Sequence, residues 1–379
     1  MSEDQQNSSP SPEKALGRLR EEIADLDGAL LELLERRFNL AAEVGNLKAE
    51  MNQPVVVHKV EQRVLSRARQ AAEHCGISIE VMESIFTAII NASVERQHRV
   101  GVKRRAKGGA QILILGAAGG MGVWLRHFLE GIGHTTTGVD PAWRSLPKVK
   151  GRYGNLQDVE QVADFDALFV SVPLESTASV LQEMIGAPPG PPIFEITSIK
   201  SHLKKDLDAL RKAGTMTISL HPMFGPSKNP YEPLTMVHAV GENEALERRM
   251  IQELLAHPYL DLVSLPFDRH DQLMGWLLGM AHLTGMLFAS ALTQSGLDPQ
   301  ELGRAASTTF IRQVATARSV LEEDPHLYFA IQRLNPFRGE VYEALSKTLR
   351  RLTGLVENDD RDGFATALLE AMNSLPKLP

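Results

Sequence analysis

The chain has 379 residues and a formal net charge of −7. That length is enough for two or three domains, and the mild negative charge argues against wholesale nucleic-acid binding. A single cysteine excludes an internal disulfide, and the polar first residues lack the apolar run of a signal peptide, so we expect a cytoplasmic protein. Residues 1–12 are rich in Ser, Gln and Pro and predict a disordered tail.

Between Leu16 and Met51, seam positions recur at alternating spacings of three and four residues. This heptad pattern predicts one long helix, which needs a partner. Arg37 occupies one seam position, where a charge is costly unless it meets an anion, and Lys48 lies on nearly the same helix face. Arg20 is about 25 Å before Arg37 along the axis, so it could join the same ligand only from the antiparallel helix of a second chain.

Two further helices are predicted, over Lys59–Ala72 and Ile79–Gln97. With the segments LREEI, LLERRFNLAAEVGNLK and IINASVERQ, residues 13–99 resemble the AroQ-type chorismate mutase, an all-helical dimer. The resemblance implies that Arg20 and Arg37 bind substrate carboxylates and that Lys48 and Gln97 contact the ether oxygen. It also implies substrate contacts at Glu61 and Ser93.

This chemistry suits the residues, because a Claisen rearrangement needs only cations for two carboxylates and donors for the charge that grows on the ether oxygen. The chain departs from the family at Val60, where an arginine is usual, and at Val57, where some members have Asp. Lys59 or Arg63 could substitute for the missing arginine. The alternative is a helical dimerisation arm whose charges form ion pairs.

The next pattern begins after a basic stretch, residues 100–110, which we interpret as a solvated linker. Ile112–Leu115 predict a buried strand, and the glycine-rich turn Gly116–Gly122 leads into a helix, as in a dinucleotide-binding fold. Asp140 ends the following strand, where its carboxylate would accept a hydrogen bond from a ribose 2′-hydroxyl. It would repel the 2′-phosphate of NADP and so favour NAD. The predicted NAD contacts are Gly116, Gly119, Met121, Gly122, Asp140 and Pro173.

Short apolar strands and helices then alternate to residue 265, which predicts a doubly wound Rossmann-type α/β domain over residues 111–265. The strands end at VSVP, TSIK and LHPMFGP, which resemble prephenate dehydrogenase. The resemblance implies that His221 holds the C4 hydroxyl of prephenate while hydride leaves C4 and the ring carboxylate departs as CO2. Ser198 then lies near that hydroxyl and the nicotinamide, and Lys200 is a further candidate for binding substrate.

Residues 266–379 predict an all-helical domain. RHDQLMGWLLGMAH resembles the dimerisation region of the same family, and STTFIRQVATAR places its carboxylate-binding arginine at Arg312. We expect His270 and His282 to be packing or polar-network residues. Met274–Leu292 has no charged residue, and we interpret it as a buried subunit interface and not as a membrane span.

The whole pattern resembles the bifunctional chorismate mutase/prephenate dehydrogenase family. It implies a multidomain homodimer that acts on chorismate and prephenate with NAD, with neither a metal site nor a nucleic-acid or membrane partner. Three alternatives stay open: a dehydrogenase with a degenerate mutase domain kept for dimerisation or effector binding, the same chemistry on 4-amino-4-deoxy analogues, and a non-enzymatic NAD sensor whose basic linker binds nucleic acid.

Overall fold

The structure is a computed structural model that describes residues 12–51, 58–105, 109–147, 149–188, 190–230, 232–257 and 259–376. The predicted tail up to residue 11 and the departure at Val57 lie outside these ranges. So do the side chains of Lys59 and Glu61, although both residues belong to a described helix.

In the residues that the structure describes, the first domain consists of three helices, α1 (Pro12–Glu50), α2 (His58–Cys75) and α3 (Ile79–Arg105). The three predicted helices are present, but α3 continues through half of the predicted linker. Residues 98–105 contain no proline, and their Lys and Arg residues favour helix, so the single Gly101 does not end the helix early.

The apolar residues of the α1 heptad seam are not covered by α3, although Arg37 at one seam position contacts that helix. The apolar seam residues are exposed in the single chain, with Leu26 at 69% and Leu33 at 63%. A different face, which includes Ala41 and Gly45, packs against α3. A long row of exposed leucines is costly in water, so the seam is suited to contact with another helix.

The second domain contains one eight-stranded sheet in the order β3-β2-β1-β4-β5-β6-β7-β8. Strands β1 to β6 are parallel, β7 runs antiparallel to β6, and β8 is parallel to β7. The strands are β1 (Gln111–Leu115), β2 (Thr135–Val139), β3 (Arg152–Tyr153), β4 (Ala167–Val170), β5 (Ile193–Glu195), β6 (Thr217–Pro222), β7 (Leu234–Val240) and β8 (Leu260–Pro266).

Helices cover both faces of this sheet: α4 (Gly120–Gly131), α5 (Thr177–Met184), α6 (Lys204–Lys212) and α7 (Glu244–Leu254). One core contains Trp124 and Phe128 of α4 with Phe169 of β4, and the other contains Leu181 of α5 with Leu207 of α6. The sheet is therefore doubly wound, as predicted.

The third domain is helical: α8 (Phe267–Met274), a π-helical turn (Gly275–Met280), α9 (Ala281–Gln294), α10 (Pro299–Arg304), α11 (Thr308–Leu321), α12 (Pro325–Leu334), α13 (Arg338–Glu357) and α14 (Arg361–Ser374). Phe267–Gln294 forms one continuous helical segment that is long and apolar enough to cross a membrane. Only 22% of its apolar 18-residue stretch is buried inside the single chain. The burial predicted for Met274–Leu292 is therefore not provided by the single chain.

Candidate functional site

Parallel strands bring the predicted dehydrogenase residues to one edge of the sheet. The glycine turn follows β1, Asp140 follows β2, and Pro173 follows β4. Ser198 follows β5, and His221 lies in the last residues of β6. Because the carboxyl ends of β1, β2, β4, β5 and β6 share this edge, sequence segments more than 100 residues apart converge there.

The glycine turn is shaped for close approach by a ligand. Gly116 has φ of +77°, and a Cβ there would meet the backbone of Ser171 on the neighbouring strand. A side chain at Gly122 would collide with the backbone of Gly116 and Ala117. Gly119 is the N-cap of α4 and has no side chain to cap it. The backbone N–H groups at this helix start can therefore face a pyrophosphate, so the turn fits a dinucleotide.

Asp140 is tied to the same turn. Its Oδ2 accepts a hydrogen bond from the backbone N–H of Ala118 at 2.9 Å, and its Oδ1 accepts one from Ala142 at 2.9 Å. Each carboxylate oxygen has a second lone pair, so each can still accept a hydrogen bond from a ribose hydroxyl. A cleft of about 680 Å³ lies beyond it, lined by residues after β2 and around β3, including Trp143, Arg144, Lys150, Arg152 and Asp158.

His221 is the centre of a buried polar network, with only 3% of its surface exposed. Its Nδ1 lies 3.1 Å from Nε2 of His270, and Nδ1 of His270 lies 2.7 Å from Oδ1 of Asp271. Burial, His270 and Lys200 together hold the pKa of His221 well below its ordinary value of 6.5. The imidazole of His221 is therefore neutral at pH 7 and can accept a proton.

Lys200 lies beneath this network and not on the cleft surface. It is fully buried, and its Nζ donates to both carboxylate oxygens of Glu195 at 2.7 and 2.8 Å and to the carbonyl of Leu220 at 2.5 Å. These three bonds use all three donors of the ammonium. Lys200 thus joins the ends of β5 and β6 in this structure, and its contact with substrate stays a prediction.

The other predicted dehydrogenase residues do not belong to the buried network around His221. Ser198 is half-buried beside the strand ends, and Met121 packs on the core below the glycine turn. Pro173 is exposed and precedes a short 3-10 turn. Arg312 is exposed on α11, and none of the ion pairs found in the described residues includes its guanidinium.

The predicted mutase residues meet where α1 crosses α3. Arg37 Nη1 donates to the carbonyl of Ile89 at 3.1 Å and to the hydroxyl of Ser93, which is buried. Within the described residues, no carboxylate pairs with this guanidinium. Gln97 Oε1 is buried there and has no hydrogen-bond partner in the described part of the chain. A half-buried cation without a carboxylate partner suits an anionic ligand, and the buried amide oxygen of Gln97 requires a hydrogen-bond donor.

A single chain does not place all of the predicted mutase residues together. Lys48 is half-buried on α1, whereas Arg20 is exposed far along the same helix. Val60 is 51% exposed on α2, and the side chain of Glu61 is outside the described set. One chain therefore brings together Arg37, Ser93 and Gln97 but leaves Arg20 apart.

Comparison with known proteins matches all three domains to two enzyme families. Residues 19–98 match chorismate mutase type II, residues 128–233 match the nucleotide-binding domain of prephenate dehydrogenase, and residues 266–371 match its dimerization domain. The T-protein of Enterobacter agglomerans is 24% identical over 351 residues, 92% of this chain and 90% of that protein. The chain belongs to the bifunctional chorismate mutase/prephenate dehydrogenase family.

Two further relatives match a smaller share of the chain. A probable arogenate/prephenate dehydrogenase of Methanocaldococcus jannaschii is 26% identical over 69% of this chain, and the chain spans only 60% of that relative. A 4-amino-4-deoxyprephenate dehydrogenase of Streptomyces pristinaespiralis is 27% identical over 68% of this chain and 88% of its own length. The crystal structure of A. aeolicus prephenate dehydrogenase with hydroxyphenyl propionate and NAD+ shares the fold, with a TM-score of 0.57 and 16% identity over 70% of this chain and 96% of that one.

Sequence reasoning about this dehydrogenase missed Glu195 and Asp271. It expected His270 in a polar network, which the structure confirms, but not that the network reaches His221. Both missed acids leave a signal: Glu195 ends an otherwise apolar strand, and Asp271 follows a histidine shortly before the uncharged stretch that begins at Met274. Buried acids of this kind need partners, although the sequence does not say which.

Proposed function

We propose that the chain catalyses two successive steps of tyrosine biosynthesis. Its helical domain rearranges chorismate to prephenate, and its second and third domains convert prephenate to 4-hydroxyphenylpyruvate and CO2 with NAD. The observation that carries the dehydrogenase is the neutral, buried His221 at the edge where the glycine turn and Asp140 also lie.

For the oxidation, bound NAD supplies the hydride acceptor. As hydride leaves C4, Nε2 of His221 accepts the proton of the C4 hydroxyl, so that a carbonyl forms. The bond between the ring and its carboxylate then breaks, CO2 departs, and the electron pair makes the ring aromatic. The oxygen becomes a phenolate and takes the proton back from His221, so no net proton is produced.

Substrate placement follows from charge. Prephenate is a dianion, and Arg312 is proposed to grip one carboxylate, since arginine suits bidentate binding. Ser198 is proposed to lie beside the hydroxyl and the nicotinamide. The loop from Gly116 to Gly122 and Asp140 hold the dinucleotide, with Pro173 at the nicotinamide end.

For the rearrangement, the chain supplies charge and no nucleophile. Arg37 is proposed to bind one carboxylate of chorismate, and Lys48 and Gln97 to donate to the ether oxygen as its negative charge grows. Ser93 orients Arg37 by the hydrogen bond that the structure contains. Arg20 is proposed to come from the partner chain of a cytoplasmic homodimer, and Glu61 to complete the substrate contacts.

Two assays on the purified chain test these activities separately. Chorismate should disappear without NAD, and NADH should form when prephenate and NAD are supplied together. His221→Asn should lower the rate of NADH formation by about 10²–10⁴-fold, the usual contribution of a positioned base, and leave mutase turnover unchanged. Full dehydrogenase activity in that variant would remove His221 from the mechanism.

A second candidate is the same chemistry on 4-amino-4-deoxy analogues. It is favoured by the similarity to the Streptomyces pristinaespiralis enzyme and by Val60, where the mutase family usually has arginine. Measuring kcat/KM for prephenate and for 4-amino-4-deoxyprephenate side by side decides between the two substrates.

A further inference from the structure

A chain of three buried side chains runs from the end of β6 into α8. It consists of His221, His270 and Asp271, each at most 3% exposed. The two links are 3.1 Å between the imidazoles and 2.7 Å from imidazole to carboxylate. Asn335, which lies between α12 and α13, donates to the backbone carbonyl of Asp271 at 2.9 Å and so links α8 to the later helices of the third domain.

Asp271 can act only as an acceptor in this chain. Its Oδ2 accepts from the backbone N–H of Ser201 at 2.7 Å, and its Oδ1 accepts from that of Lys200 at 2.8 Å. Burial works to raise the pKa of Asp271, but the hydrogen bonds from His270, Ser201 and Lys200 outweigh it and keep the pKa low. An ionised carboxylate has no proton to give, so His270 must present Nδ1–H to it.

The state of His270 then dictates that of His221. Burial lowers the pKa of His270, although Asp271 partly opposes this, so the ring is neutral at pH 7. A neutral ring with its proton on Nδ1 has a lone pair on Nε2, which can only accept. The 3.1 Å contact therefore requires His221 to donate from its own Nδ1.

We propose that His270 and Asp271 are positioning residues that fix His221 in the tautomer with its proton on Nδ1 and its lone pair on Nε2. The inference rests on the proposed dehydrogenase function and names what prepares its base. Within the described residues, the hydrogen bond of His221 uses Nδ1, so Nε2 is left for the substrate hydroxyl. When Nε2 takes the proton, His221 still donates to His270, and Asp271 lies beyond as the balancing charge.

The other charged groups at the strand ends do not compete for this role. Lys200 repels a charged His221, but its ammonium is neutralised by Glu195, which also accepts from Thr197. His202 is a further titratable side chain near Glu195 and Asp271, and burial lowers its pKa as well. Asp271 is thus the carboxylate that the described contacts link to His221 through an imidazole.

The decisive variant is Asp271→Asn. The Ser201 and Lys200 amides require an acceptor, so the amide oxygen should take the Oδ2 position and the NH2 group should face Nδ1 of His270. His270 would then donate from Nε2 to His221, and the His221 proton would move to Nε2, where it blocks the base. We expect kcat to fall by about 10²–10⁴-fold with the Kd for NAD unchanged, since a misplaced imidazole proton removes general-base catalysis.

Graded variants at His270 separate positioning from folding. His270→Gln keeps an acceptor near the Nε2 position and should retain more activity than His270→Leu, which keeps none. The matched control is Glu247→Gln, which breaks a second buried pair of the same kind, 2.7 Å from His238 Nε2. Its stability loss should resemble that of Asp271→Asn, whereas its kcat and its pH profile should match those of the wild type.

Nuclear magnetic resonance of 15N-histidine-labelled protein reads the tautomers without any turnover. Wild type should show Nδ1–H for both rings, assigned with His221→Asn and His270→Gln, and Asp271→Asn should show Nε2–H. Wild-type His221 with its proton on Nε2 would overturn the inference, as would a folded Asp271→Asn with wild-type kcat. Correct tautomers in a chain that forms no NADH with either candidate substrate would instead overturn the proposed function.

Discussion

At the residue scale, the carboxylate of Asp140 has a structural role and a proposed binding role. It fixes the glycine turn through Ala118, and the same oxygens are proposed to bind the ribose hydroxyl. Asp140→Ala should therefore weaken NAD binding by roughly 10–100-fold, because a charge-assisted hydrogen bond contributes about 1.5–3 kcal/mol. NADP should be affected less, since it no longer meets a like charge.

Titration of both cofactors by isothermal calorimetry measures this change in preference. Asp164→Ala is the matched control, because Asp164 is exposed in the same domain and its loss changes the net charge equally. Equal affinity for NAD and NADP in the wild type would contradict the role of Asp140.

The crossing of α1 and α3 is the decisive feature at the element scale. A Cβ at Gly45 would lie 2.6 Å from the backbone oxygen of Gln97, so the two backbones touch there. Gly45→Ala should push the helices apart, destabilise the first domain and lower mutase turnover, since Lys48 and Gln97 lie on either side of the crossing. Dehydrogenase activity should not change.

The same helix offers its own control. A Cβ added at Gly28 would meet no atom within 4 Å, so Gly28→Ala should stabilise α1 by about 1 kcal/mol through helix propensity alone. Thermal unfolding followed by circular dichroism compares the two variants. Equal effects of Gly45→Ala and Gly28→Ala would show that the crossing is not tight in solution.

Assembly is the question at the scale of the whole molecule. The exposed seam of α1 and the distance of Arg20 from Arg37 both favour mutase sites shared between two chains. Arg20→Ala and Lys48→Ala should each be inactive as mutases. A random equal mixture should regain about a quarter of wild-type activity, because half of the dimers are mixed and each has one intact site. Subunit exchange that restores nothing would refute the shared site.

Acid should destabilise the folded chain through its buried histidines. Burial lowers the pKa values of His202, His221, His270 and His282. Between these lowered values and the unfolded value of about 6.5, the unfolded chain binds protons that the folded chain does not, so stability falls as pH falls below about 6.5. Buried carboxylates such as Asp271 add to this loss only at more acidic pH.

Thermal unfolding between pH 8 and pH 5 checks this prediction. The midpoint should stay level down to about pH 7 and then drop. His282→Asn should drop less steeply, because one of the four groups is removed. A midpoint that stays level through this whole range would show that the imidazoles are not held neutral.

The sequence by itself determined the three-domain order and the edge on which the dehydrogenase site lies. Periodicity fixed the long helix, and the glycine turn with its alternating strands fixed a doubly wound sheet, because local backbone and burial demands are written in nearby residues. Strands β7 and β8 escaped prediction, since β8 consists of exposed and half-buried residues and the pairing of both strands depends on the rest of the sheet.

Only the tertiary structure decided which polar groups meet. His221 and His270 are 49 residues apart in the sequence, so their contact could not be predicted from spacing. Nor does the sequence show that the ammonium of Lys200 is bound by Glu195 and by the carbonyl of Leu220. The heptad pattern of α1 likewise predicts a helix that needs a partner. Only the structure shows that α3 packs on another face and leaves the apolar seam residues exposed. Sequence spacing fixes direction along one element, whereas contacts between elements depend on how the whole chain packs.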